Sequence, residues 1–249
     1  LLSKLSDKHL YPHAKSAADR VFNIINKQKG VIRCEVAGSL RRRKEVIGDI
    51  DILVSAKQST IKNIMEAFTS HPDVEKVIAR GETKSSVLLN SGINCDLRVV
   101  DDSEFAFALN YFTGSKEHNI ETRSLAKQFG WSLNEYGFSE LGTEEKRGKA
   151  KRIVKCSSEE DIYAAVELAY VPPELRENMG EIEAAKVHEI PKLVEEKDVR
   201  GTFHCHTTYS DGANSLEEMA EGARTLGWEY LGIADHSKIA AWRKEKSLR

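Results

Sequence analysis

Asp49 and Asp51 stand one residue apart in Gly48-Asp49-Ile50-Asp51-Ile52-Leu53-Val54, just downstream of Gly38-Ser39-Leu40-Arg41-Arg42. On a strand, alternate side chains share a face, so both carboxylates point one way while Ile50 and Ile52 point the other. Two like charges held this close repel unless something positive sits between them. A divalent cation meets that need, because magnesium favours one or two carboxylates plus phosphate oxygens. The glycine–serine turn upstream can present backbone N–H groups to a phosphate. Metal and triphosphate together are the chemistry of nucleotidyl transfer. An Asp-Ile-Asp strand also fits a half-exposed sheet edge with solvated acids, so further residues must decide.

Three other segments bear on the choice. After the turn Asn90-Ser91-Gly92, residues 93–100 alternate as a strand, with Asp96 on the polar face and Ile93, Cys95, Leu97 and Val99 on the apolar one. Three aspartates on neighbouring strands suit a two-metal site. Residues 103–110 read as a helix capped by Ser103, and Gly114 ends it within Tyr111-Phe112-Thr113-Gly114-Ser115. The aromatic pair there either packs in a core or lies against a base or sugar. Beyond residue 200, His204-Cys205-His206 sets two imidazoles on one strand face, Asp211 follows in a loop, and Asp235-His236 ends the apolar run 230–234. Neutral imidazoles suit zinc or manganese. Ligands at the C-terminal ends of successive parallel strands are what a βα barrel offers.

In order and approximate spacing, Gly38-Ser39, Arg42, Gly48-Asp49-Ile50-Asp51, Asp96 and Tyr111-Phe112-Thr113-Gly114-Ser115 resemble the family X DNA polymerases, the DNA polymerase beta group, over about residues 30 to 140. The resemblance implies that Asp49, Asp51 and Asp96 bind Mg2+ (or Mn2+), and that Asp96 helps to deprotonate the primer 3′ hydroxyl. It assigns Gly38, Ser39, Arg42 and Gly48 to nucleotide binding, with Ser39 and Arg42 holding the triphosphate. Tyr111, Phe112 and Gly114 would lie against the sugar, Asn119 would reach the base in the minor groove, and Arg123 would contact the template strand. The chain departs from the pattern at Asn94, where an arginine usually stands, and at Lys116, where the vertebrate enzyme has an acid. His204, His206, Asp211 and Asp235-His236 resemble the start of the polymerase-and-histidinol-phosphatase (PHP) domain that follows the polymerase in many bacterial members. His204, His206, Asp211 and His236 would then form an incomplete site for Zn2+ or Mn2+. Residues 171–185 resemble the junction in those proteins.

These residues need a scaffold of the α/β (α+β) class: a nucleotidyltransferase-type palm with a mixed sheet, an α/β thumb and the start of a PHP βα barrel. Strands are expected near 31–37, 48–54, 74–80, 84–90 and 93–100. A helix from Pro12 to Gly30 would bury Ala14, Ala17, Ala18, Val21, Ile24 and Ile25, and another over 59–70, capped by Ser59, would bury Ile61, Ile64, Met65 and Phe68. Short strands near 131–135 and 152–155 and a helix over 158–170 would complete the thumb. The expected divisions are a fingers remnant at 1–29, palm at 30–100, thumb at 101–170, connector at 171–199 and truncated PHP domain at 200–249. Two hundred or so further residues would be needed to close a barrel, so 3′ to 5′ exonuclease activity is not expected. A grip on a 5′ phosphate in gapped DNA is not expected either.

At 249 residues, 40% hydrophobic and 31% charged, the chain reads as globular, with no apolar run long enough for a membrane span and no signal peptide. Cys34, Cys95, Cys156 and Cys205 lack paired spacing, which favours reduced thiols and a cytoplasmic setting; a monomer is expected. The net charge of −2 leaves attraction to DNA to local patches, with Arg41-Arg42-Arg43-Lys44 and the cluster 146–152 as candidates. The expected function is addition of deoxynucleotides (dNTPs) to a primer 3′ end on primer-template or gapped DNA, in repair gap filling. The rivals are a different nucleotidyltransferase on the same palm, a catalytically impaired DNA-binding fragment, and a PHP-type metal-dependent phosphoesterase or exonuclease remnant.

Overall fold

Alternating apolar residues set the sheet. The computed structural model describes residues 8–142 and 154–237, and the chain divides into two units, Leu1–Ile190 and Pro191–Arg249. The first begins with β1 (His9–Leu10) and α1 (Tyr11–Ile25), then β2 (Val31–Val36), α2 (Gly38–Arg41), β3 (Val46–Ile47) and β4 (Asp49–Ala56). It continues with α3 (Ile61–Thr69), β5 (Val74–Arg80), β6 (Lys84–Leu89) and β7 (Asn94–Val100). The main sheet has the order β2-β4-β7-β6-β5. It is mixed: β4 and β7 run parallel, and the other neighbours are antiparallel.

Ile50, Ile52 and Val54 of β4 and Cys95, Leu97 and Val99 of β7 bury one face against α1 and α3. Ala14, Ala17, Ala18, Val21 and Ile25 supply the α1 stripe, and Ile61, Ile64, Met65 and Phe68 that of α3. Ile24 was expected in the stripe but is exposed. α1 also ends at Ile25, well before Gly30, because Asn26-Lys27-Gln28-Lys29 offers nothing apolar to bury. Gly30 instead takes a left-handed turn, φ +93°, against Thr60, where a Cβ would clash. Ser59 caps nothing: it lies in a 3₁₀ turn, Gln58–Thr60, that leads into α3.

Across the other face of β4 lies α4 (Phe105–Thr113), burying Phe105, Ala108 and Leu109 against Leu53 and Ala37. Its approach is capped by Asp101, which accepts the Ser103 N–H, so Ser103 is the capped residue and not the cap. α5 (Lys116–Gln128) follows, with Ser115 as its N-cap, then the hairpin β8 (Trp131–Asn134) and β9 (Gly137–Glu140). The second strand expected near 152–155 falls partly outside the described residues, while Val154 and Lys155 are irregular. The hairpin partner is β9, and Phe138 there packs edge-on against Phe107. α6 (Glu159–Ala165) starts with a capping box between Ser158 and Asp161. It ends earlier than the expected Tyr170 because Glu167 turns left-handed, φ +57°, and the Leu168 N–H bonds the Tyr163 carbonyl. That reversal delivers both Val166 and Leu168 to the core.

The charged stretch expected to be a connector is in its first half part of this unit. Val171, Ile182 and Ala185 are buried with Ile162 and Tyr163, and α7 (Glu181–Lys186) forms within it. The second unit pairs β10 (Gly201–Cys205) with β11 (Tyr230–Ile233) in parallel, joined through α8 (Leu216–Thr225). This is one βαβ step, and Ser215 and Glu218 form the capping box of its helix. No helix is long and apolar enough to cross a membrane among the described residues.

Candidate active site, a cleft with three aspartates

The parallel register sets Asp51 directly beside Asp96, and Asp49 beside Asn94. Alternation keeps Asp49 and Asp51 on one face of β4, with buried Ile50 and Ile52 on the other. Burial, and then the charges of Asp49 and Asp96, push the Asp51 carboxyl up to about 7, against the pull of Lys84 and Arg98. A cluster that resists ionisation in this way lacks positive charge. Lys84 Nζ supplies some, 2.6 Å from Asp96 Oδ2. The donor set is all oxygen, part-buried at Asp51 and Asp96 and exposed at Asp49, and excess in negative charge, which fits a hard divalent cation.

The turn after β2 closes on the same aspartate. The Ala37 N–H donates to the Asp51 carbonyl at 2.8 Å. Gly38 is left-handed, φ +63°, and a Cβ there would overlap Asp51 Oδ2. Only glycine permits this approach of backbone to acid. α2 then carries Ser39 toward the cleft and ends at Arg42. Arg42 is held by two bonds, Nη1 to the Thr113 carbonyl at 2.6 Å and Nε to Glu177 Oε1 at 2.8 Å.

The third wall is the α4–α5 junction. Tyr111 and Phe112 lie on the last turn of α4 and contact each other edge-on, and Arg98 stacks over the Phe112 ring at 4.4 Å. Gly114 breaks the helix, with a cis peptide bond to Ser115. Asn119 Nδ2 donates to the Tyr111 carbonyl at 2.7 Å, and Arg123 Nε to the Asn119 carbonyl at 3.1 Å. Gly38, Ser39, Arg42, Asp49, Asp51, Tyr111, Phe112, Gly114, Asn119 and Arg123 thus line one cleft of about 400 Å³. Asp96 lines a recess of about 120 Å³ behind it, shared with Asp51 and Phe112. Gly48 lines neither and sits near Lys8 Nζ. Sequence reasoning missed Lys84 and Arg98, although the alternation that flagged Asp96 puts both on its face, since they pair across β6 and β7. It also missed Glu177, whose only signal was its place in a charged run.

The basic run Arg41–Lys44 is not the open patch expected. Arg41 bonds both oxygens of Glu159 at 3.0 and 2.6 Å, Arg43 pairs with Glu174, and Lys44 shares Glu177 with Arg42. Glu159 also bonds the fully buried Arg176 at 2.5 Å. Burial works to raise the Glu159 carboxyl, yet Arg41 and Arg176 hold it below the ordinary glutamate value. The basic cluster 146–152 lies outside the described residues.

In the second unit, one ligand atom each from His206, Asp211 and His236 lie within 4.8 Å of one another. His206 Nδ1 is 2.7 Å from Asp211 Oδ1. Asp235 turns away, accepting from Thr207 and Ser210. His204 stacks on the His206 ring at 5.1 Å and stands outside the three-residue cluster. The strand bulges between Thr202 and Cys205 and His204 is left-handed, φ +61°, so simple alternation does not govern its direction.

Residues 12–93 match the DNA polymerase beta palm and residues 108–177 the DNA polymerase beta thumb. The chain is 37% identical over 210 residues, 84% of its length, to DNA polymerase/3'-5' exonuclease PolX of Bacillus subtilis (strain 168). It is 28% identical over 163 residues, 58% of its length, to DNA polymerase lambda of Rattus norvegicus. The matches span 35% and 28% of those two proteins, about a third of each. The palm match begins within α1, which packs in the palm core and so goes with the sheet behind it. With Asp49 and Asp51 inside the palm match, Asp96 just after it and the thumb match following, the chain belongs to the DNA polymerase beta family, the family X polymerases.

Proposed function

We propose that this chain is a DNA-directed DNA polymerase that adds dNTPs to the 3′ end of a primer on gapped or primer-template DNA, as in repair gap filling. The carrying observation is the Asp49–Asp51–Asp96 cluster, where burial and then the two neighbouring acids push the Asp51 carboxyl up to about 7, and where Asp49 and Asp51 open to the cleft at the α4–α5 junction. Divalent cations, Mg2+ (or Mn2+), held by these carboxylates would neutralise triphosphate charge and lower the pKa of the primer hydroxyl. Asp96 takes up the hydroxyl proton as the 3′ oxygen attacks the α-phosphorus and pyrophosphate leaves. Ser39, the backbone N–H groups after Gly38 and the Arg42 guanidinium bind the triphosphate. Tyr111, Phe112 and Gly114 form the floor under the sugar, Asn119 meets the base edge, and Arg123 the template backbone. The work of these groups is positioning and electrostatics.

Asp51→Asn tests the site: extension of a primer should nearly vanish while circular dichroism and the unfolding transition persist. Normal extension by that variant would remove the site from the reaction. Dependence of the added base on the template separates this reading from other nucleotidyltransferases on the same palm.

A separate observation supports a second metal centre. The convergence of His206, Asp211 and His236 fits Zn2+ or Mn2+. We assign the chain to the cytoplasm, a reading supported by its four unpaired cysteines, and take it to act as a monomer.

A further inference from the structure

α5 carries Asn119 and Arg123 on its cleft side, and on its opposite side it buries His118 completely. His118 makes two side-chain bonds, Nδ1 to Glu181 Oε1 and Nε2 to the Tyr163 hydroxyl, each 2.7 Å. The Glu181 carboxylate also accepts the N–H groups of Asn178 at 2.8 Å and Met179 at 2.7 Å. A carboxylate that collects donors needs Nδ1 to carry the proton, so Nε2 accepts from Tyr163. Burial pushes the imidazole below its ordinary value, which favours this neutral form.

The turn between Arg176 and Glu181 is unusual. Asn178, φ +55°, and Gly180, φ +106°, are both left-handed. The N–H groups of this turn find their acceptor in Glu181, whose place is fixed by His118. Glu177 lies in the same turn and holds Arg42 and Lys44. The turn is tied to α5 a second time, because the Ser115 N–H donates to the Arg176 carbonyl at 2.9 Å. A path therefore runs from His118 to Glu181, from Glu181 to the Asn178 N–H, along the backbone to Glu177, and from its carboxylate to the guanidinium at the cleft.

We propose that His118 is a positioning residue for the incoming nucleotide: its bond to Glu181 locks the turn that carries Glu177, and Glu177 fixes Arg42 against the triphosphate. This rests on the reading of the cleft as a nucleotide site. His118 touches no substrate, so its loss acts on nucleotide affinity more than on turnover.

The test measures dNTP KM and kcat for primer extension, with hydrogen exchange across residues 176–184, in the full chain. His118→Phe keeps an aromatic ring and removes both bonds. It should raise dNTP KM about tenfold while kcat stays within about twofold, and the 176–184 amides should lose protection. His118→Asn restores a donor at the Nδ1 position and should return both readouts toward the parent. Tyr163→Phe cuts the other bond and should leave KM and protection unchanged. Parent-like KM and protection in His118→Phe would overturn the proposal, as would a loss confined to kcat, or equal effects from Tyr163→Phe. Should His118→Phe fail to fold, Glu181→Gln takes its place against Tyr163→Phe, with the same expected contrast. If the parent extends no primer, the nucleotide reading of the cleft falls, and the exchange data still decide whether His118 locks the turn.

Discussion

Asp51 is costly to the metal-free protein, and Asp51→Asn should expose that cost. In the unfolded chain its carboxyl ionises near the ordinary aspartate value of 3.8, whereas in the fold it does so at about 7. Each tenfold change in proton affinity is worth about 1.4 kcal/mol, so this gap amounts to about 4 kcal/mol, or about 2 kcal/mol after discounting for partial hydration of the site. The direction follows from which state keeps the proton. Well below pH 3.8 both states hold it and the penalty vanishes; near pH 4 it is still small. As pH rises toward 7, the unfolded chain releases a proton that the folded one retains, and stability drains away until it levels off above 7. Asparagine carries no charge at any pH, so in EDTA at pH 8 the variant should melt about 4–8 °C above the parent, with the gap shrinking toward pH 4. Adding Mg2+ should then stabilise the parent and not the variant. The assay is thermal unfolding by circular dichroism at a series of pH values, with and without metal. A variant no more stable than its parent at pH 8, or a gain that does not vary with pH, would refute the account of Asp51 as a crowded, desolvated acid.

Three further outcomes follow from the same contacts. Gly38→Ala forces a side chain into a left-handed residue against the Asp51 carboxylate, so urea unfolding should register a loss of roughly 1–3 kcal/mol and primer extension a fall of about a hundredfold. Glu159→Ala leaves Arg41 and the buried Arg176 without their shared acid; denaturant titration should show about 3–5 kcal/mol lost, and an unchanged midpoint would contradict the network. Lys84→Met frees Asp96 of a half-exposed partner worth at most about 1 kcal/mol, so calorimetric Mn2+ affinity of the palm should tighten by up to about fivefold; weaker binding would mean that Lys84 assists the metal and does not compete with it.

Much of the palm was legible because its physics is local. Residues 48–54 and 93–100 alternate cleanly, and the helical stripe from Ala14 to Ile25 is set by spacing. The acids could be placed on one face without knowing the strand order. What the sequence hid is what depends on distant partners. Arg41 to Lys44 read as a free basic patch because nothing local announces that Glu159, Glu174 and Glu177 will meet them. Residues 171–190 read as connector because their buried apolar positions, Val171, Ile182 and Ala185, are sparse among charges. The end of α6 slipped because left-handed Glu167 reversed the chain. In the second unit, His204 followed no strand parity because the backbone bulges beside it.

The parallel pairing of β4 with β7 has a kinetic corollary. Parallel neighbours cannot be joined by a tight hairpin, and here the chain runs through α3, β5 and β6 before it returns. No short fragment holds Asp51 and Asp96 together. Loop closure over such a separation is slow and is rewarded only when the whole sheet assembles. Cation capture by a nascent or unfolding chain should therefore switch on and off with global cooperativity, and a metal-sensitive probe in the palm would report the folding reaction itself.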